Sequence, residues 1–229
     1  SMNENEMVKA RWSRLRAAHK ADLPALTVAR AREFLREYPD CGPAWKILGE
    51  ALVDLARHSE AEHALEQAIA KCPLDKLWIP LAEMGHLHRA RGEYKAAVAW
   101  YRRAIDTMPD EASGHIYIGG VLAKSGRLKE AETAHRAAIR CTQGCRDEAY
   151  LNLGLVLRAQ ERYDEAATCF EQALKLDPKY VAARKALRDV RNTMRFSKEL
   201  RREEAARPAS ELATVGSRSG SGEEEPVAS

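Results

Sequence analysis

The residues best suited to hold a metal in this sequence are Cys141 and Cys145, with His135 six positions before the first of them. A structural zinc site takes four ligands and commonly joins one closely spaced cysteine pair to a second. The chain has five cysteines and no second such pair, so neither a metal nor a cofactor is expected. His86 and His88 lie two apart and point in different directions on a helix, so they make no ligand pair. A glycine-rich phosphate loop, a Gly-x-Ser-x-Gly elbow and a His-Glu-x-x-His pair are all missing, and no catalytic residues are expected. Arg184, Lys185, Arg188, Arg191, Arg195, Lys198, Arg201 and Arg202 form a basic run that could meet phosphates. Asp189, Glu199, Glu203 and Glu204 oppose it, base-stacking aromatics are not interleaved, and the net charge is only +3. Nucleic-acid binding through this run is therefore the alternative reading, beside a self-associating module.

The elements that carry these residues repeat. Residues 147–180 read as two short helices around a sharp turn. The first carries Tyr150, Leu153, Gly154 and Leu157, and the second Ala166, Phe170 and Ala173 before stopping at Pro178. The same order recurs with Trp45, Leu48, Gly49, Leu52, Ala61 and Leu65. It returns with Leu81, Met84, Gly85, His88, Ala97 and Tyr101, and again with His115, Ile118, Gly119, Leu122, Ala131 and His135. Each glycine follows a bulky residue by four positions, so the two share one face of the first helix. The spacing predicts that the alanine of the second helix (Ala61, Ala97, Ala131, Ala166) sits opposite the glycine, where two helices approach closely. This pattern resembles the tetratricopeptide repeat. The resemblance implies an all-α, right-handed superhelix (an α-solenoid of antiparallel helix pairs) with terminal capping helices, in which His135 takes the place of a packed aromatic.

Units are expected at about 42–77, 78–111, 112–146 and 147–180, with two extra residues near Asp75 to Leu77 in the first link. The third link has Gln143 where the closing proline should be, so its stacking angle is the least defined. Residues 1–41 read as an N-terminal cap or degenerate repeat that ends at Pro39, with Leu15 where the glycine should be and apolar stripes at Met7, Trp12, Leu15 and Ala18 and at Leu26, Ala29, Phe34 and Leu35. Residues 181–206 read as a C-terminal capping helix with Val181, Leu187, Val190, Met194 and Phe196 on its apolar stripe, because a stacked array must end in a water-compatible unit. Residues 207–229, rich in Ser, Gly and Glu, are expected to be a disordered tail.

The composition, 45% hydrophobic and 31% charged, suits a folding, helix-rich chain. No apolar run reaches the ~18 residues of a membrane span, so no membrane association is expected. An odd number of cysteines without a framework, and an opening without a secretory core, lead us to expect an intracellular, cytoplasmic setting.

The family resemblance further implies a scaffold or adaptor that binds a protein or peptide partner on the inner surface lined by the first helix of each pair. Lys46, Glu50, Val53 and Asp54 are placed there in the first unit, and Glu83, His86 and Arg89 in the second. Ile116, Tyr117 and Lys124 follow in the third, then Leu151, Asn152, Leu155 and Arg158. Chaperone-binding relatives clamp a peptide carboxylate with Lys, Asn, Asn, Lys and Arg. Here Lys46 is followed by Glu50, Glu83, Ser113 and Tyr117, so chaperone C-terminal tails are disfavoured. The asparagine ladder of sugar-transferase relatives is met only at Asn152, with Ile47, Glu83 and Tyr117 at the other positions. A homo-oligomer is compatible with the pattern.

Overall fold

The computed structural model describes residues 4–206; the tail expected at 207–229 lies outside the described residues. The described chain is all-α apart from one 3-10 turn at Leu74–Lys76. Five hairpins run in sequence: α1 (Glu4–Lys20) with α2 (Pro24–Glu37), α3 (Gly42–Asp54) with α4 (His58–Lys71), α5 (Trp78–Ala90) with α6 (Tyr94–Thr107), α7 (Ala112–Lys124) with α8 (Leu128–Arg140), and α9 (Arg146–Ala159) with α10 (Tyr163–Leu176). The last helix, α11 (Val181–Ala206), packs on α10 and touches α9. Each hairpin leans on the next, and the stack winds as a right-handed superhelix. The core is correspondingly divided into clusters, each shared by neighbouring hairpins.

One turn closes every hairpin. Asp22, Ala56, Gly92, Gly126 and Glu161 all take a left-handed φ, between 53° and 78°. The next residue's N–H reaches back to a carbonyl five residues earlier, as in Arg57 N to Leu52 O and Arg162 N to Leu157 O, both 2.9–3.0 Å. That is the Schellman closure of a helix C-terminus.

The packing inside each hairpin differs from the spacing argument. The glycines of α3, α5, α7 and α9 face the large residue of the partner helix, not its alanine. A Cβ added at Gly85 would lie 2.4 Å from the Tyr101 ring, and one at Gly154 the same distance from Phe170. Gly49 meets Leu65 and Gly119 meets His135 in the same way. The missing side chain is a hole and the ring is its knob, while the fully buried alanines Ala61, Ala97, Ala131 and Ala166 let the helices close beside it.

The N-terminal hairpin inverts this arrangement. Leu15 stands at the glycine position and Ala31 at the ring position, and both are 0% exposed in one cluster. The buried stripe of α2 is Thr27, Val28, Ala31, Phe34 and Leu35. Leu26, Ala29 and Met7, expected on the apolar stripes, face outward.

At the other end, α11 buries Ala183, Ala186, Leu187 and Val190. Val181 and Phe196, expected on that stripe, are 72% and 61% exposed. In repeat register Arg184, Arg188 and Arg191 take the places of the bulky residue, the glycine and the leucine that receive a partner helix. A guanidinium at the glycine position leaves no hole there for a further knob.

The joint without a proline is held by hydrogen bonds. Ala112 N donates to Gln143 O at 3.1 Å, Gln143 N to Asp110 O at 3.2 Å, and Thr142 N to the Asp110 carboxylate at 2.9 Å. Gly144, with φ 86°, lets the chain pass against the Glu111 carboxylate. The angle expected to be the least defined is thus tied by a short bridge between two loops.

Candidate binding groove

The inner surface is built from α1, α3, α5 and α7. Helical periodicity gives these helices a second face, opposite the one that holds the knobs. Where those faces converge lies a cavity of about 680 Å³. Glu50, Asp54, Glu83, His86, Arg89 and Lys124 surround it, with Val53 between them.

Its chemistry is mixed. Lys46 Nζ donates to Glu50 at 2.7 Å, and His19 Nε2 approaches the other Glu50 oxygen at 3.3 Å. Glu83 meets Glu50 carboxyl to carboxyl. Burial first, and then the Glu50 carboxylate, push the Glu83 carboxyl up to about 8. Burial, Asp22 and Glu50 raise Asp54 as well. His86 Nδ1 lies 2.7 Å from the Tyr101 hydroxyl, and its ring is 4.4 Å from that of Tyr117. Burial, aided by Arg89, lowers His86 to about 4, so at neutral pH it is an uncharged link to a buried tyrosine. Arg89 and Lys124 are exposed cations on the rim, and Lys124 lies 5.8 Å over the Tyr94 ring.

The sequence reading and this geometry coincide only in part. Ile116 is 4% exposed and Leu151 8%. Ile116 packs with Ala138, Cys141 and Ala149, so neither residue is a groove surface. The position they occupy in the repeat faces the neighbouring unit, and Ala82 is buried there too. Lys46 borders an adjoining depression with Arg16 and Lys20. Tyr117 backs His86. Asn152, Leu155 and Arg158 lie beyond the cavity, Asn152 bonding Glu148 and Leu155 packing on the C-terminal core. His19, Gly120 and Val121 line the cavity and were not among the expected residues. His19 was within reach of the pattern, because it stands in α1 where Val53 stands in α3 and Arg89 in α5.

The cysteine cluster disperses. The His135 ring covers Gly119, Cys141 is buried with its thiol toward the Ala137 and Pro109 carbonyls, and Cys145 is exposed. Among the described residues no group of His, Cys, Asp and Glu could hold a metal ion, and no helix is long and apolar enough to cross a membrane. In the basic run, Arg191 pairs with Glu171 at 2.8 Å and Arg184 donates to the Pro178 carbonyl at 2.6 Å.

Models of the tetratricopeptide repeat match residues 24–76, 85–126 and 147–180, together more than half of the chain. The chain belongs to the tetratricopeptide repeat family. It is 30% identical over 132 residues to human protein O-mannosyl-transferase TMTC1, a match that covers 58% of this chain and 14% of that protein. It is 30% identical over 103 residues to the CTR9 homolog of Arabidopsis thaliana, covering 45% of this chain and 9% of that one. The chain therefore spans only a small part of the curated relatives it matches. Among solved structures, the thermophilic repeat protein TTC0263 of Thermus thermophilus superimposes with a TM-score of 0.60 at 18% identity, over 80% of this chain and 98% of that one. Yeast Tom70 gives 0.67 at 15% identity, over 76% and 37%. These likenesses concern the fold. Such a solenoid serves in general as a scaffold for protein–protein interaction.

Proposed function

We propose that this repeat protein is a non-catalytic adaptor that seats a segment of a partner protein in the inner groove. The observation that carries the reading is the convergence of side chains from four helices on one cavity of about 680 Å³ with both charge signs on its rim. A partner segment laid along α3, α5 and α7 would meet Asp54, Arg89 and Lys124 in turn, so complementary charge would set its register. Glu83 and His86 are recessed and uncharged near neutrality, which makes them a floor and not a rim. All five cysteines are free thiols, which supports action in a reducing, intracellular compartment. The units at 42–77, 78–111, 112–146 and 147–180 form the binding array in this proposal, with 1–41 and 181–206 as its ends.

The test places a photo-crosslinking amino acid at Asp54 and, as control, at Lys175 on the outside of α10, in extract from the source cells. We expect a discrete protein adduct from Asp54 alone. It should fall at least tenfold when Arg89→Glu and Lys124→Glu are added, with the melting temperature unchanged because both side chains are exposed. Identical adducts from both sites, or adducts indifferent to the reversal, would remove the groove from the function.

A further inference from the structure

We propose that the trough between α2 and α4, floored by α3, is a second docking surface, and that it receives one face of an acidic amphipathic helix from a partner protein. The trough encloses about 750 Å³ on the side of α3 away from Lys46 and Glu50. Leu35, Trp45, Leu48, Leu52 and Ala64 make its floor and walls.

It stays open where the next hairpin carries a large side chain. In the next hairpin the position of Ala64 is held by Trp100, which stacks on His88 with 6.2 Å between ring centroids and packs against both adjoining cores. The α3–α4 hairpin has Ala64 and Leu52 at these two places. The space that the chain fills for itself between α4 and α6 is left open between α2 and α4, and its apolar walls gain from being covered.

The shape and charge define the occupant. Trp45, Leu48 and Leu52 follow one another at i, i+3 and i+7, a strip of two helical turns or roughly 10 Å. Arg32, Arg36, Ser59, Glu60 and His63 supply the polar lining of the trough, His63 meeting the Trp45 ring edge-on at 6.0 Å, and the rest is apolar, which suits apolar anchors of a helix laid in a groove. The rim is cationic. Glu60 is held by Arg57 at 2.7 Å and, from across the trough, by Arg32 at 2.5 Å. Arg36 makes no ion pair among the described residues, while the two acids of α2, Glu33 and Glu37, are paired with Arg30 and Arg11. Carboxylates flanking the apolar anchors of the incoming helix match this excess. The inner groove lies on the other face of α3, so both surfaces can be filled at once.

The test uses the full chain and three fluorescein-labelled synthetic helical peptides of 16 residues, ~24 Å when helical. One carries Leu at i, i+3 and i+7 among Glu, the second replaces Glu by Lys, and the third replaces Leu by Ser. Anisotropy gives affinity, and the indole N–H resonance of Trp45, which donates to the Pro39 carbonyl at 2.7 Å, reports the place. We expect the Leu/Glu peptide to bind at least tenfold more tightly than either control and to shift that resonance. Ala64→Trp, which copies the filling used by the next hairpin, should weaken it at least tenfold. Arg36→Glu, on the exposed rim, gives the same answer without touching the core. Arg89→Glu with Lys124→Glu should leave this binding unchanged, which separates it from the inner groove. Equal affinity for all three peptides, or indifference to both trough variants, would overturn the proposal. A Trp45 resonance that moves on deleting 207–229, or with protein concentration alone, would assign the trough to the chain's own tail or to a second copy instead.

Discussion

His135 holds the knob position that Tyr101 and Phe170 hold in neighbouring hairpins, but it is the one knob that can take a proton. It is 1% exposed, its Nδ1 has no hydrogen-bond partner, and burial lowers it to about 4. A histidine whose folded pKa is depressed favours the fold above the unfolded value near 6.5, and that contribution is lost as pH falls from 6.5 through 4. His135→Phe should therefore raise stability at neutral pH by about 1–2 kcal/mol, by removing an unsatisfied buried nitrogen. It should also flatten the fall in melting temperature between pH 6.5 and 4; His86 and His115, lowered by burial too, contribute to the slope that remains. An unchanged slope in thermal melts across that range would show that His135 is solvated in the folded state. At this scale the sequence was legible where residue type and register coincided, as in the packing of His135 itself. It misled where one face had two neighbours. Ile116 and Leu151 follow the inner-face spacing, yet the adjoining unit covers them, and one helix's periodicity carries no information about what stands beside it.

The turn is the element that fixes each hairpin, and only two of the five turns have the residue the geometry favours. Gly92 and Gly126 adopt the left-handed φ freely, whereas Ala56 and Glu161 are L-residues at φ 55° and 61°, a conformation that costs about 1–2 kcal/mol. Glycine's greater unfolded entropy offsets part of that. Ala56→Gly and Glu161→Gly should each stabilise the protein by ~0.5–1 kcal/mol, or roughly 1–4 °C in melting temperature for a chain of this size. A lower melting temperature for both variants would mean that the strain is relieved elsewhere. These turns also show why helices were easier to find than their ends. Glycine and proline announce a boundary in the sequence, while Asp22, Ala56 and Glu161 are stopped by the Schellman closure, which depends on carbonyls five residues away. The five-fold recurrence of the turn gives the N-terminal hairpin the same closure as the others, although Leu15 breaks the glycine rule there.

The molecule as a whole is a row of neighbours, so removing one end should be felt locally. Truncation after Tyr180 would strip Leu187 and Val190 from the α9–α10 cluster, a loss of roughly 3–6 kcal/mol of apolar burial before entropy. Hydrogen exchange should accelerate in α9 and α10 while α3 to α6 keep their protection, and sedimentation should show oligomers. A monomer with native protection throughout would show that α11 is not the cap. The winding and its surfaces were the least legible level, since the inner cavity and the outer trough arise from distant helices meeting. Even so, the trough has a trace in the sequence, the alanine at position 64 where its repeat partner has Trp100. The inverted knob and hole of the first hairpin has a consequence for assembly. Interior hairpins share one interlocking code, so any of their first helices could in principle mate with the second helix of another. Leu15 cannot: against Leu65 or Phe170 it would set two knobs face to face, and a glycine-bearing helix set against Ala31 would leave a void. The α1–α2 pair is thus keyed to itself, a fixed register mark that guards a repetitive chain against closing one unit out of step.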